Sequence, residues 1–323
     1  RKCRHHGINM TIISAVSKLS WRAIRQNYSL EMYEAELDRI QKLEANGHYS
    51  GLLSAICAGL ACGGMCKLFG GDWIAFFFTA LCAAPAFSLR RLCNKLEINT
   101  YAGIAISSFT ATLLAYFTQF FSNSSTPWHP LIACAIFIVP GIPLINSVDD
   151  MLNNYIVAGT TRAINTLLII GGMTFGIVLA IRLGNVPDIF TALNVMPTSL
   201  YLSDALAAAV AAAGLSVIFN VPRRLLPATA IGGIISICLR NFFALELDLS
   251  QTVSAFISAT AISLISLRAV HWFHTPIHVI TIPSIIPMVP GVLLYRVLFA
   301  IINIKTLDMA ALMSAIQNGI EAI

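Results

Sequence analysis

Apolar segments of about 20 residues follow one another along this chain from residue 51 onward. A helix of about 20 residues crosses the hydrocarbon core of a bilayer, because each residue adds about 1.5 Å to its length. Polar or turn-forming residues separate the segments, so the pattern predicts about ten membrane-spanning helices. They cover residues 51–69, 73–89, 101–121, 131–148, 163–182, 200–219, 225–243, 250–270, 276–300 and 306–323.

The low charge content supports this interpretation. Of the 323 residues, 57% are hydrophobic and only 11% are charged, against about 25% charged in an ordinary soluble domain. A water-soluble protein of this length could not cover its surface with so few charges, whereas side chains that face lipid can be apolar. The sequence therefore predicts an all-α integral membrane protein, with the lipid bilayer as one of its partners.

Residues 1–50 differ in character from the rest of the chain. They are rich in lysine and arginine, and Ser29 can cap a helix in which Tyr33, Leu37 and Ile40 form one apolar face. Basic segments next to spanning helices remain in the cytoplasm. We therefore expect residues 1–50 to be the cytoplasmic, amphipathic tail of a soluble domain, in a multi-pass protein of the inner cell membrane.

Two of the apolar segments are interrupted by the same Pro-Gly pair. The interruptions are Val139-Pro140-Gly141-Ile142-Pro143 and Val289-Pro290-Gly291-Val292-Leu293, which start 150 residues apart. The same offset pairs Phe69 with Phe219, Leu89-Arg90 with Leu239-Arg240, and Ile145-Asn146 with Tyr295-Arg296. Several coincidences at one fixed offset indicate a duplication.

Each half then contains five spans, in residues 51–195 and 196–323. Because five is odd, the second half starts from the opposite side of the membrane, and the sequence predicts two inverted five-helix repeats, as in many secondary transporters. The fourth and ninth helices carry the breaks. Proline removes an amide donor and glycine allows an open backbone, so the breaks can expose carbonyls and helix N-termini to a solute. A simple kink in each helix is the alternative.

At these positions the chain resembles the ThrE-type threonine/serine exporter family, including relatives that are split into two membrane subunits. In the first half the resemblance rests on Gly7-Ile8-Asn9, Phe69-Gly70-Gly71, and Val139-Pro140-Gly141-Ile142-Pro143-Leu144-Ile145-Asn146 followed by Asp150. In the second half it rests on Phe219-Asn220-Val221-Pro222, Ile286-Pro287-Met288-Val289-Pro290-Gly291 and Tyr295-Arg296. The resemblance implies proton-driven export of small amino acids or, in the split relatives, of a dicarboxylate such as succinate. Asp149 departs from the family pattern, in which we expect a basic residue.

The predicted substrate site lies at and just after the two breaks. Asn146 could hydrogen-bond a solute or only satisfy freed backbone groups. Arg296 could hold a carboxylate in two parallel hydrogen bonds, or pair with an acid of the other half, for which Asp150 is the first candidate. The full set is Pro140, Gly141, Pro143, Asn146, Pro290, Gly291, Tyr295 and Arg296.

Asp149 and Asp150 are the candidates for proton coupling. Acids within a membrane are costly to bury and usually functional, and two adjacent acids at the edge of a cavity can share a proton. The alternative places both at the cytoplasmic interface, where water solvates them. Asp204 is interpreted as an acid stabilised by the helix N-terminus, and Arg90 and Arg240 as anchors of span ends.

The sequence gives no sign of an enzyme, a cofactor or a metal site. It contains no HExxH, phosphate-loop or GxSxG pattern. His271, His274 and His278 have a spacing that could face one way, but Pro276 interrupts it and no fourth ligand is evident. A nucleic-acid partner for the basic N-terminal segment is the lesser alternative to a helix that leans on the membrane domain.

The sequence therefore predicts a secondary active exporter of threonine or serine, driven by the proton gradient and without a cofactor. Export of a dicarboxylate is the first alternative, although the mixed charge of Asp149, Asp150 and Arg296 favours an amino acid. A non-transporting assembly subunit is the alternative of another class. The predicted partners are a small solute, protons and lipid, and homo-oligomerisation is left open.

Overall fold

A computed structural model describes residues 9–46, 49–121, 123–184 and 201–288. Every regular element in these ranges is helical, and they contain no strand. The helices are α1 (Met10–Gln26), α2 (Leu30–Asn46), α3 (Gly51–Leu68), α4 (Trp73–Lys95), α5 (Thr100–Thr118), α6 (His129–Ala133), α7 (Gly141–Leu152), α8 (Ile156–Leu183), α9 (Tyr201–Ile218), α10 (Leu226–Leu245), α11 (Gln251–Phe273) and α12 (His278–Ile285). Short 3-10 turns at Ile136–Ile138, Arg223–Leu225 and Ile286–Met288 follow α6, precede α10 and follow α12.

Seven helices of the described part are long and apolar enough to cross a membrane: α3, α4, α5, α8, α9, α10 with its preceding turn, and α11. The segment His129–Ile138 together with α7 forms an eighth candidate, which bends by 55°. The segment His278–Met288 is a shorter apolar helix at the start of the predicted ninth span. The chain is therefore a multi-pass helical membrane protein. The remainder of the ninth span and the tenth lie outside the described residues.

Two helices extend beyond the spans that the sequence predicts. α4 continues through Arg90 and Arg91 to Lys95, beyond the predicted end at residue 89, and α8 begins at Ile156 rather than at residue 163. Long basic side chains can extend their charged ends to the membrane surface while their stems cover apolar groups. A cation therefore does not by itself end a spanning helix.

Helix positions recur between the two halves of the chain. α3 and α9 each have 18 residues and start 150 residues apart. The spans Trp73–Lys95 and Arg223–Leu245 each have 23 residues and start at the same offset. So do the 3-10 turns Ile136–Ile138 and Ile286–Met288.

α3 and α9 contact each other through small residues, and the contacts are reciprocal. A Cβ built on Gly64 of α3 would lie 2.6 Å from the carbonyl oxygen of Ala207. A Cβ built on Gly214, which corresponds to Gly64, would lie 2.5 Å from the carbonyl oxygen of Cys57, which corresponds to Ala207. Because a late residue of each helix meets an early residue of the other, the two helices run antiparallel. An inverted repeat requires this direction, and the ten-helix repeat itself stays a prediction.

The N-terminal segment is tied to the turn between α9 and α10. The Asn220 amide donates to the Asn9 side-chain oxygen at 2.7 Å, and the Asn9 oxygen also caps α1. The Tyr49 hydroxyl donates to the Val221 carbonyl at 2.8 Å. Met10 is only 2% exposed and belongs to an apolar cluster that includes Ile142 of α7. Two segments that carry the family resemblance, around Asn9 and Asn220, are thus in direct contact.

Candidate substrate and ion site

The first break is built by two prolines around a glycine. The chain leaves the helix at Val139 and Pro140, and the Gly141 amide donates to the Val139 carbonyl at 2.9 Å. Pro140 has no amide with which to continue the preceding helix. Pro143 lies in the first turn of α7, where an amide donor is not required. The same five residues therefore end one helix and start another.

A cavity of about 30 Å³ lies beside this break and is lined by both halves of the chain. Gly141 lines it, and a Cβ on that residue would lie 3.5 Å from the Ile286 side chain. The lining side chains are apolar, and a space of this size holds about one or two water molecules. The cavity is therefore closed to an amino acid in this conformation. Its matched lining residues, 150 apart, are Met65 with Leu215, Phe69 with Phe219, and Ile136 with Ile286.

The structure places only some of the predicted substrate residues. Pro140 and Gly141 are buried at the break, while Pro143 and Asn146 are half-buried along α7. Asn146 lies five residues beyond Gly141, which is about 7.5 Å along the helix, and does not line the cavity. The predicted residues of the second break, Pro290, Gly291, Tyr295 and Arg296, lie outside the described residues.

Asp149 and Asp150 lie near the far end of α7. Nine residues separate Asp150 from Gly141, which corresponds to about 13.5 Å of helix. Asp150 Oδ2 lies 2.7 Å from Arg162 Nη1 of α8, and Asp149 is exposed and accepts a hydrogen bond from Asn153 at 3.2 Å. Arg162 is a partner for Asp150 that the sequence did not suggest. The Asp150–Arg162 pair joins the end of α7 to the start of α8.

A second charged group is enclosed between α9 and α10. The Asn241 amide donates to Asp204 Oδ2 at 2.8 Å, and the Asn241 oxygen accepts from Arg240 Nη2 at 2.8 Å and from Nε at 3.2 Å. Asp204 is 4% exposed, Arg240 5% and Asn241 0%. The amide thus links the two charges. A buried pair of opposite charges joined by hydrogen bonds avoids the large cost of an isolated charge in a membrane.

This burial contradicts the interpretation of Arg240 as an anchor at the membrane surface. Sequence reasoning took a cation near a span end as interfacial, but the acid in the neighbouring helix stabilises Arg240 inside the protein instead. The available signal was a polar doublet, Arg240-Asn241, in one apolar span and an acid, Asp204, in the span next to it.

Comparisons with known proteins agree with the resemblance. A family model described as "Putative threonine/serine exporter", ThrE, matches residues 1–184, and one described as "Threonine/Serine exporter, ThrE" matches residues 204–323. No solved structure matches the chain.

Three relatives illustrate the range of names. The "Probable succinate transporter subunit YjjP" of Escherichia coli (strain K12) is 30% identical over 185 residues, which cover 57% of this chain and 70% of that protein. The protein of the same name in Klebsiella aerogenes is 29% identical with the same coverage. A "Threonine/serine exporter" of Corynebacterium glutamicum is 24% identical over 284 residues, which cover 86% of this chain and 58% of that protein.

With one family model covering more than half of its residues and a second covering most of the remainder, this chain belongs to the ThrE family of putative threonine/serine exporters.

Proposed function

We propose that this protein is a secondary active exporter of small amino acids, threonine or serine, driven by the proton gradient across an inner cell membrane. A membrane exporter is supported by the family and by the apolar helices. The choice of amino acid is supported by the Corynebacterium relative, whose similarity extends over 86% of this chain. The orientation, with the N-terminus in the cytoplasm, follows from the basic residues of the N-terminal segment.

The observation that carries this proposal is the pairing of equivalent elements around the break. α3 and α9 run antiparallel, and equivalent residues of the two helices make equivalent contacts. Gly141 of the first broken helix faces Ile286, which lies five residues before Gly291 in the sequence. These contacts support two inverted repeats whose broken helices meet at a shared cavity. Secondary transporters bind their solutes at such crossings, where helix ends and free backbone groups face the solute.

Transport then requires the cavity to open, because about 30 Å³ is too small for threonine or serine. Rocking of one half against the other widens it on one side of the membrane at a time. The solute contacts in the opened state are proposed to be Pro140, Gly141, Pro143 and Asn146 from the first half and Pro290, Gly291, Tyr295 and Arg296 from the second, with Arg296 on the solute carboxylate.

Asp150, with Asp149 beside it, remains our candidate for proton coupling in the first half. Its pairing with the half-exposed Arg162 supports the alternative role, in which the pair fixes the end of α7. Asp150→Asn decides between them. Loss of gradient-driven accumulation with retained exchange supports coupling, whereas unchanged accumulation supports a structural ion pair.

A dicarboxylate exporter is the second candidate function. It is favoured by the two relatives named as probable succinate transporter subunits. Their name also keeps open the alternative that this chain is a non-transporting assembly subunit. Homo-oligomers fit any of these functions.

The test is counterflow of labelled serine, threonine and succinate by the purified chain in proteoliposomes. Serine and threonine flux supports the first proposal, succinate flux the second, and no flux the assembly subunit. Gly141→Leu should then abolish flux, because its side chain enters the cavity toward Ile286. Gly171→Leu is the matched control, since a Cβ on Gly171 meets nothing within 4 Å. Equal flux in the two variants would contradict a solute path beside Gly141.

A further inference from the structure

The start of α1 is bonded to the turn that follows α9. The Met10 amide donates to the Phe219 carbonyl at 3.1 Å. The amide and the hydroxyl of Thr11 donate to the Asn220 carbonyl at 3.0 and 2.7 Å. The first amides of a helix have no partners within that helix, so the turn supplies the partners that α1 lacks. The positive N-terminus of α1 also lies against the negative C-terminus of α9, which is favourable.

The Met10 side chain fills the space behind this junction. It is 2% exposed and belongs to one apolar cluster with Ile142 of α7, Leu215 of α9 and Ile286 after α12. Leu215 and Ile286 also line the cavity at the first break, and so does Phe219, whose carbonyl accepts from Met10. Residues 9–11, which we call the N-terminal strap, therefore lie against the wall of the cavity.

The strap covers the side of the membrane from which α3 starts. α3 crosses away from that side, and α9 returns to it because the two helices run antiparallel. In the proposed orientation this side is the cytoplasm, from which an exporter takes up its solute. The strap thus lies where a solute would enter the cavity.

The corresponding turn on the opposite side has a different cover. Phe69, 150 residues before Phe219, also lines the cavity. The turn that follows it is bonded to Ser124 and Ser125, which lie between α5 and α6 of the same half. The strap precedes both repeats, so its movement would open one side of the cavity and leave the other side closed.

The strap can leave the turn without separating two spanning helices. Among the described helices, α1 and α2 pack chiefly against each other, and Tyr49 after α2 donates to Val221 of the same turn. Both ends of this helical hairpin thus meet the membrane domain at one place. Water can replace the hydrogen bonds of residues 9–11 after release, so their net loss is small.

Resting on the proposed solute path through the cavity, we propose that the N-terminal strap is the cytoplasmic gate of that path. In the docked state, which this structure shows, Met10 blocks the route from the cytoplasm. Release of the strap from Phe219 and Asn220 withdraws Met10 and admits the solute. Redocking closes the route before the other side opens. An exporter needs this closure, because a path open to both sides would let the solute flow back.

The first test measures access to the cavity with a charged thiosulfonate reagent, on the full chain in lipid nanodiscs. Leu215→Cys places a thiol on the buried cavity wall. Adding Met10→Ser weakens the docked strap, so residue 215 should react about tenfold faster, as expected for easier local opening. Met32→Ser, at an exposed methionine of α2, is the matched control and should leave the rate unchanged.

Mass spectrometry separates the reaction at residue 215 from that of the native Cys134. Cys134 is buried in the other apolar cluster and does not line the cavity, so it reports general loosening of the protein. An unchanged rate at residue 215 would overturn the gate. So would an equal acceleration at residue 215 and at Cys134.

The second test locks the strap. The Asn9 and Asn220 side chains are hydrogen-bonded at 2.7 Å, so a short bifunctional thiosulfonate can bridge Asn9→Cys and Asn220→Cys. Counterflow of labelled serine, threonine and succinate in proteoliposomes should stop after bridging and return after reduction. Wild-type protein treated with the same reagent controls for the native cysteines. Unchanged counterflow, with the bridge verified by mass spectrometry, would overturn the gate and make the strap a fixed brace.

The outcomes separate the gate from the proposed function. A wild-type protein that moves none of the three probes contradicts the exporter function, and the labelling of residue 215 still tests the gate because it needs no transport. A wild-type protein that moves a probe, together with a bridged variant of equal flux, overturns the gate alone.

Discussion

The turn after α3 and the turn after α9 share a backbone hydrogen bond but have different partners. Gly70 and Asn220, 150 residues apart, both have positive φ, 92° and 55°. The amide that follows each of them donates back to the helix, from Gly71 to the Cys66 carbonyl at 3.0 Å and from Val221 to the Ser216 carbonyl at 2.8 Å. The positive φ and the hydrogen bond that follows it are therefore common to both turns.

The surroundings of the two turns differ. The turn after α3 is stabilised by residues of the same half of the chain. Asp72 accepts hydrogen bonds from the Ser124 hydroxyl at 2.9 Å and from the Ser125 amide at 2.8 Å. The second is held by Asn9 and Tyr49, which belong to the segment before α3. The same backbone hydrogen bond thus recurs in both turns, while the second turn depends on a segment that precedes α3.

The largest effect is expected when the first turn receives the side chain of the second. Gly71→Val introduces the residue found at Val221, but a Cβ at Gly71 would lie 2.7 Å from the Cys66 oxygen and 2.8 Å from its sulfur. Overpacking of this kind costs about 1–3 kcal/mol. The melting temperature in detergent should fall accordingly. Gly70→Asn, which copies the other residue of the second turn, should cost less than Gly71→Val. Equal stability of Gly71→Val and the wild type would mean that the two turns are interchangeable.

A smaller effect is expected at the second turn from Asn9→Ala. This change removes the cap of α1 and the hydrogen bond from Asn220, together about 1–2 kcal/mol. Amide hydrogen exchange should accelerate in α1 and in the turn after α9, and the first turn should stay as it is. Asn99→Ala is the matched control, because Asn99 caps α5 without contacting either turn. Unchanged protection of α1 in Asn9→Ala would show that this segment does not hold the second turn.

The smallest effect is expected from Asp72→Asn, and it should depend on pH. Burial opposes ionisation of Asp72, but hydrogen bonds from Ala75, Ser124 and Ser125 outweigh it and hold the pKa of Asp72 below its usual value. A lowered pKa means that the ionised group stabilises the fold above the unfolded pKa of about 4, and that this contribution is lost as pH falls through the folded value. Asp72→Asn should therefore cost about 1 kcal/mol at pH near 7 and nothing well below pH 4. Melting curves at several pH values test this. Asp248→Asn, which removes an exposed acid from the turn after α10, is the control. A cost that persists unchanged in acid would exclude the charge as its cause.

Much of the helical organisation could be predicted from the sequence because bilayer thickness sets the length of a span. The segments 51–69 and 200–219 correspond closely to α3 and α9. The bend after Ile138 follows from Pro140, since a missing amide is a property of the residue itself. Length alone does not give the end of a helix, because α4 continues past the predicted end of its span through Arg90 to Lys95.

The contacts of the candidate sites could not be predicted in the same way. Asp204 and Asn241 are 37 residues apart, and Asn9 and Asn220 are 211 apart. The sequence gives the position of a residue along its own helix. Which side of the helix faces a neighbour depends on the packing of the two helices, such as that of Gly64 on Ala207. The roles of Asp150 and Arg296 stay predictions.

The apolar lining of the closed cavity has a consequence for leakage. Small apolar cavities stay dry, since a water molecule inside them finds no partners for its hydrogen bonds. A dry gap between Met65, Phe137 and Ile286 interrupts any file of waters through this cavity, along which protons could hop. If the proposed solute path runs through this cavity, the resting exporter would not leak protons there, and the arrival of a polar solute would wet the passage.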